Sequence, residues 1–239
     1  MKIYRNAEVE RIAEEKLHAL ATAIGQPLTP PIPIELLAEK VMGLNFLWDT
    51  IKELPGEVIL AGLLPKEKLI LLNETHKDLF SEKPGLERFT IGHELGHWAL
   101  FTGEQNAEDF LPGMNTAGPM SYRETGRGTA EIIKALIRTE AGVRALGKIQ
   151  AHTDKADESR AVNRFASAIL MPTEMFRAEA MKIDRTQWPN LYRLAEKFAV
   201  TISALTVRLT QLDLLVIGEN KKLFSSSDEA KGQITFGFE

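Results

Sequence analysis

Two histidines and a glutamate set the chemistry open to this chain. His93 and His97 stand four residues apart, with Glu94 directly after the first, in His93-Glu94-Leu95-Gly96-His97. On a helix, residues i and i+4 lie one turn apart on the same face, so two imidazoles at this spacing can grip one zinc ion. Glu94 then lies beside the metal, where a carboxylate can take a proton from water. Zinc brings the pKa of a water molecule down to about 7, so the trio reads as a metalloprotease centre. The flanking Phe89, Ile91, Trp98, Leu100 and Phe101 are apolar and predict a buried helix. A glutamate between two histidines in such a helix is costly unless something pairs with them, and a divalent metal is the simplest partner. The plain alternative is two ordinary histidines that share a helix face.

Catalytic zinc usually takes three protein ligands and a water. The chain has no cysteine, so the third ligand must be His, Asp or Glu. The best candidate is an acidic residue on the helix predicted over residues 157–170: Glu158 first, Asp157 second, with His152 a remote third. The plain alternative for Glu158 is a carboxylate interacting with the positive end of its helix.

Composition bounds the rest. With 239 residues, 44% hydrophobic and 26% charged, the chain can bury a sizeable core. A net charge of −4 gives no reason to expect a general nucleic-acid or membrane-surface binder. The N-terminus runs into a charged helical pattern without a signal-peptide core, and no apolar run approaches transmembrane length. The expectation is a cytoplasmic protein with no membrane partner.

The elements that must position the site follow from periodicity. Residues 7–24 read as an amphipathic helix on Val9, Ile12, Ala13, Leu17, Leu20 and Ala21, stopped by Gly25. A proline-rich stretch leads into a helix over 34–42. Three apolar runs, 44–48, 58–64 and 68–73, read as strands of a small sheet, with 65–68 a tight turn. Residues 86–101 form the motif helix. The span 103–128 reads as a loop, 130–146 as a helix and 147–156 as a linker. Helices are predicted over 157–170, over 173–183 with Thr173 as its cap, and as a pair over 190–198 and 201–214. Residues 214–217, 222–224 and 234–238 read as a terminal hairpin or loose strand.

Arg88-Phe89-Thr90-Ile91-Gly92-His93-Glu94-Leu95-Gly96-His97, followed by Asn163-Arg164-Phe165-Ala166-Ser167-Ala168-Ile169-Leu170-Met171-Pro172, resembles the ImmA/IrrE group of zinc metallopeptidases. That group pairs an R-F-T-x-x-H-E-x-G-H helix with a later E-x-x-A-N-x-F-A-x-x-L-x-M-P helix. Residues 32–43, the strand ending at Asn73 and the pair 194–209 are similar to further parts of the family, so the likeness spans roughly residues 8–214. The resemblance implies a zinc ion held by His93, His97 and a glutamate of the second helix. Two departures stand out. The family's glutamate lies four residues before the asparagine, a position held here by Ser159, and Glu158 is one residue further back. A one-residue slip turns a side chain by about 100°. Either the helix start adjusts so that Glu158 reaches the metal, or the site lacks its usual ligand. The segment 103–156 is also long for the family and reads as a lid, a specificity element or a tolerated insertion.

Other residues take provisional roles. Glu94 would activate water and later protonate the leaving amine, or only orient its neighbours. Asn163 would position a ligand or sit as a buried core amide. Tyr122 and His152 are candidates to stabilise an oxyanion, or loop residues without a catalytic role. The strand ending at Asn73 could pair at a sheet edge with an extended peptide. His18 and His76 read as surface residues, and Met171-Pro172 as a helix stop packed beneath the site.

The sequence thus predicts an α+β protein, a mostly helical zincin-like metallopeptidase fold with a small β-sheet preceding the motif helix. It reads as one domain over 1–239, with an insertion at 103–156 and a tail at 215–239. The expected function is zinc-dependent endopeptidase action on a protein substrate with one catalytic zinc ion. Resemblance implies a helix–turn–helix repressor as that substrate, in a stress or mobile-element response, and on a separate chain. Two alternatives stand beside it: a catalytically silent protein that binds metal or a partner, and a DNA-binding regulator using the helical pair at 191–209. Against the latter, the second helix of the pair carries Arg208 as its sole base, too sparse for a DNA reader.

Overall fold

The computed structural model describes residues 3–53, 58–102, 156–218, 221–225 and 229. The expected loop and helix between 103 and 155, including Tyr122 and His152, and the strand at 234–238 lie outside the described residues.

Helix α1 (Asn6–Ile24) buries Val9, Ala13, Leu17 and Leu20, which recur every three or four residues and so form one stripe. Gly25 ends it at φ 69°, a left-handed conformation that only glycine takes without strain, and its N–H caps the carbonyls of Ala21 and Thr22. The prolines lead into α2 (Ile34–Leu36), which continues as a π-helical turn, Leu37–Val41.

The three apolar runs form one sheet, with β1 (Asn45–Asp49), β2 (Ala61–Leu64) and β3 (Leu69–Asn73) in the order β1-β3-β2. β1 runs parallel to β3, pairing Asn45 with Leu69 and Asp49 with Asn73; β2 runs antiparallel to β3, pairing Ala61 with Leu72 and Leu64 with Leu69. The expected turn at 65–68 closes with Lys68 N–H donating to the Pro65 carbonyl. β3 is therefore central, and all five of its residues are buried. This corrects the sequence reading of the Asn73 strand as a free edge, since both its sides are already hydrogen-bonded. Asn73 itself is buried. Its Oδ1 accepts from Ile51 N–H at 3.1 Å and Thr75 N–H at 3.1 Å, and its Nδ2 donates to the Ile59 carbonyl at 2.8 Å. The amide thus ties the β1–β2 connection to the end of β3. His76 also departs from the surface reading: it is half-buried, with Nε2 2.6 Å from Glu53 Oε1.

A short α3 (Lys77–Glu82) precedes the motif helix α4 (Pro84–His97), which starts two residues earlier than expected, on a proline that suits a first helical turn. Its end winds into a π-helical turn, Trp98–Thr102. Then come α5 (Ala156–Leu170), α6 (Thr173–Ala180), α7 (Trp188–Phe198) and α8 (Ile202–Gln211), and a small hairpin of β4 (Val216–Ile217) with β5 (Leu223–Phe224). The α+β, mostly helical architecture matches the expectation. Among the described residues no helix is long and apolar enough to cross a membrane.

One polar cluster fastens the helices. Arg208 on α8 is fully buried, with Nη1 2.6 Å from Glu10 Oε1, Nη2 2.9 Å from Glu10 Oε2 and Nε donating to the Met171 carbonyl at 3.1 Å. Arg164 on α5 reaches the same carboxylate at 2.9 Å, and Arg208 Nη2 also donates to Thr173 Oγ1 at 3.0 Å. Thr173 therefore does not cap α6. The cap position is Pro172, and the threonine hydroxyl is drawn into this cluster instead. The sole base of α8 is thus turned inward, which leaves that helix no exposed cation with which to read DNA.

Candidate metal centre

The site lies where α4 packs on α5. Sequence makes the approach close: a Cβ on Gly92 would lie 3.2 Å from Ala166 Cβ, and one on Gly96 3.0 Å from both Val162 Cγ1 and the Val162 carbonyl oxygen. Contacts that rise along α4 while falling along α5 make the two helices antiparallel. At the start of α4 a Cβ on Gly85 would lie 2.6 Å from the backbone of Val200 and Thr201, so the turn between α7 and α8 presses on the motif helix. Thr201 caps α8 by accepting from Ala204 N–H at 3.2 Å. The sequence's helix–turn–helix pattern therefore serves as a packed brace for the motif helix.

His93 and His97 project from one face of α4, both half-buried, with ring centroids 4.7 Å apart and planes at 74°. Their Nε2 atoms converge to 3.0 Å. Two nitrogens bound tetrahedrally to one zinc, each at about 2.0–2.1 Å, lie about 3.3 Å apart. The pair is therefore within a few tenths of an ångström of a zinc-holding separation. Asn163 on α5 fixes the first ring: its Oδ1 lies 2.9 Å from His93 Nδ1. That oxygen can only accept, so Nδ1 carries the proton and the Nε2 lone pair faces His97. His97 Nδ1 is buried without a hydrogen-bond partner among the described residues. Burial, and then the charge of His93, press the His97 pKa down to about 3, so this imidazole stays neutral and keeps a lone pair to donate. These features fit a cation between the two Nε2 atoms.

Glu94 is 5% exposed, and its burial pushes the carboxyl up to about 8. A neighbouring cation would favour the carboxylate and bring that value down. Asn163 is thus placed as a positioning group rather than as a core amide; its Nδ2 also reaches Ser159 Oγ at 3.5 Å. Ser159 is the residue that stands at the position of the family's glutamate in the sequence reading, and its four-residue spacing from Asn163 puts both on one face. Glu158 is buried, at 9% exposure, in line with Val162 one turn on. Among the described residues no three His, Asp or Glu side chains come together as a metal-holding group. The Asp157 side chain lies outside the description. Met171 is buried where α5 stops, as expected.

These features define a centre of two imidazoles with a buried carboxyl group, set between two close-packed antiparallel helices. Residues 144–210 match the family model for the IrrE N-terminal-like domain (Peptidase_M78), a peptidase family, which bears out the ImmA/IrrE resemblance over that span. The span takes in α5 to α8 but not the motif helix. No match is found among curated proteins. Among solved structures, a Mycobacterium tuberculosis transcriptional regulator aligns with 91% of this chain and 51% of its own, at 16% identity and a TM-score of 0.45. The chain spans about half the length of that protein.

Proposed function

We propose that the chain is a cytoplasmic zinc-dependent endopeptidase with a zincin-like active site, acting on a protein substrate. The observation that carries this reading is the convergence of His93 and His97 Nε2 to 3.0 Å, with Asn163 holding the first ring in the ligating tautomer. His93 and His97 would hold the zinc, with a carboxylate from the first turn of α5 as the expected third ligand, Glu158 in the sequence reading. When bound, zinc supplies Lewis-acid polarisation of the scissile carbonyl and acidifies water.

The chain's own residues supply the proton steps. Glu94 as carboxylate accepts a proton from the attacking water, and as carboxylic acid returns it to the departing amine nitrogen. In the metal-free chain burial raises this carboxyl, which makes the carboxylate a stronger base toward water and lets it hold the proton until the amine nitrogen takes it; bound zinc would bring that value down. Asn163 keeps His93 in the right tautomer throughout. Tyr122 and His152 remain proposed oxyanion stabilisers. With β3 closed on both sides, the outer strand of the described sheet that packs beside α4 is β2, and an extended substrate strand would pair there. Resemblance supports a helix–turn–helix repressor as the substrate.

A second reading, a metal-binding protein that does not cut, is favoured by Ser159 standing where the family places its glutamate. The Glu94→Gln variant separates the two. A peptidase should cleave a protein-derived peptide library in a chelator-sensitive way, followed by mass spectrometry, and Glu94→Gln should abolish cleavage while zinc content stays at that of the native chain. Cleavage that survives in the variant would remove Glu94 from the mechanism; chelator-insensitive cleavage would remove the metal.

A further inference from the structure

Which residue of α5 faces the histidine pair is decided by one amide. Asn163 Oδ1 meets His93 Nδ1 at 2.9 Å, while its Nδ2 meets Ser159 Oγ at 3.5 Å. Ser159 therefore stands on the histidine side of α5, one turn from Asn163, and is half-buried. Glu158 is turned about 100° from it on an ideal helix. It falls in line with Val162, whose backbone presses on the Gly96 position of α4, and it is 9% exposed. Bringing Glu158 round to the histidines would require α5 to rewind beneath Asn163, against the contacts that Val162 and Ala166 make with Gly96 and Gly92.

We infer that Ser159, not Glu158, occupies the position from which α5 faces the metal, so that α5 presents a neutral hydroxyl where a catalytic zinc site needs an anionic or imidazole ligand. The inference rests on the histidine-pair zinc reading above and departs from it in the third ligand, Glu158. Its consequence, among the described residues, is a two-histidine zinc site that one substitution, Ser159→Glu, turns into a three-ligand site. A glutamate there projects from a half-buried position and needs no change in the packing of Gly92 or Gly96.

The test is zinc affinity, by competition with a chelating indicator, for the native chain and for Ser159→Glu, Glu158→Ala and His93→Ala. Circular dichroism checks the fold, and Ser159→Asp stands in if the glutamate variant does not fold. Because even an outer partner of a ligand is worth about 10–100-fold in affinity, Ser159→Glu is expected to tighten zinc by at least about 100-fold, with Glu158→Ala within about threefold of native. Cobalt(II) gives a second readout: the visible absorption of a low-coordinate site should strengthen in Ser159→Glu. Zinc lost on Glu158→Ala, or no gain in Ser159→Glu, overturns the inference and leaves the histidine pair standing. Zinc binding that His93→Ala does not weaken overturns the zinc reading itself. A native chain without measurable affinity beside a Ser159→Glu variant that binds supports the inference and points to the non-cutting reading of the native protein.

Discussion

Removing Glu10 should destabilise this protein more than any surface acid. Its carboxylate receives both Nη atoms of Arg208, at 2.6 and 2.9 Å, and Nε of Arg164 at 2.9 Å. Arg208 has no solvent exposure, whereas the Glu10 side chain keeps 20%. In Glu10→Ala the guanidinium would stay charged and buried with, among the described residues, the Met171 carbonyl and Thr173 hydroxyl as acceptors. Breaking a buried pair by removing one partner costs about 3–5 kcal/mol, and the water that reaches the Glu10 side argues for the low end, about 3 kcal/mol. At about 2–4 °C per kcal/mol for a chain of this size, the melting temperature should fall by roughly 6–12 °C. Thermal and urea unfolding of Glu10→Ala, Arg208→Met and the double variant would read this out. The double variant should be less destabilised than Glu10→Ala, because it leaves no buried charge unpaired. The pH dependence follows. Burial alone would raise the Glu10 pKa, but the Arg208 hydrogen bond and charge, the Arg164 charge and the Thr173 hydrogen bond outweigh it, and the net shift is downward. A depressed carboxyl contributes stability that is present above its unfolded value of 4.5 and is lost as the pH falls through the folded value. In Glu10→Ala that acid-side loss should be smaller than in the native chain. A Glu10→Ala variant within about 0.5 kcal/mol of native would refute the reasoning, since that is the range of an ordinary surface change.

Three further outcomes are expected. Asn163→Leu removes the acceptor that fixes His93 and should weaken zinc about 10–100-fold in the same competition assay without unfolding the chain. Gly96→Ala forces a methyl group to within 3.0 Å of Val162 Cγ1 and its carbonyl; prising α4 from α5 should cost about 1–3 kcal/mol in urea unfolding and weaken zinc as well. In the zinc-free protein, the Glu94 carboxyl raised from 4.5 to about 8 binds a proton that the unfolded chain releases, so stability should fall as the pH rises between those values, by at most about 1.4 kcal/mol per pH unit. Glu94→Gln should remove that slope, which a urea titration from pH 5 to 8 would detect.

The sequence by itself determined whatever rests on local periodicity and local chemistry. The four-residue spacing of His93 and His97 placed them together because helix geometry leaves no choice. The apolar stripe of α1, the stop at Gly25, the three short strands and the turn at 65–68 were legible for the same reason. Several features were decided only by the tertiary structure, because they depend on which face meets which. That β3 is central follows from β1 crossing to pair with it in parallel, which no turn signal encodes. Arg208 looked like a sparse DNA contact until it met a carboxylate 198 residues away. Thr173 looked like a cap until that same carboxylate drew its hydroxyl away from the helix start. The direction of Asn163 was open in the sequence, since an amide in a helix suits a core or a site equally well; the approach of α5 to Gly92 and Gly96 aims it at His93. The same approach sets the register at Ser159 and Glu158, a difference of about 100° invisible in composition, and with it which of the two side chains α5 turns toward the histidine pair.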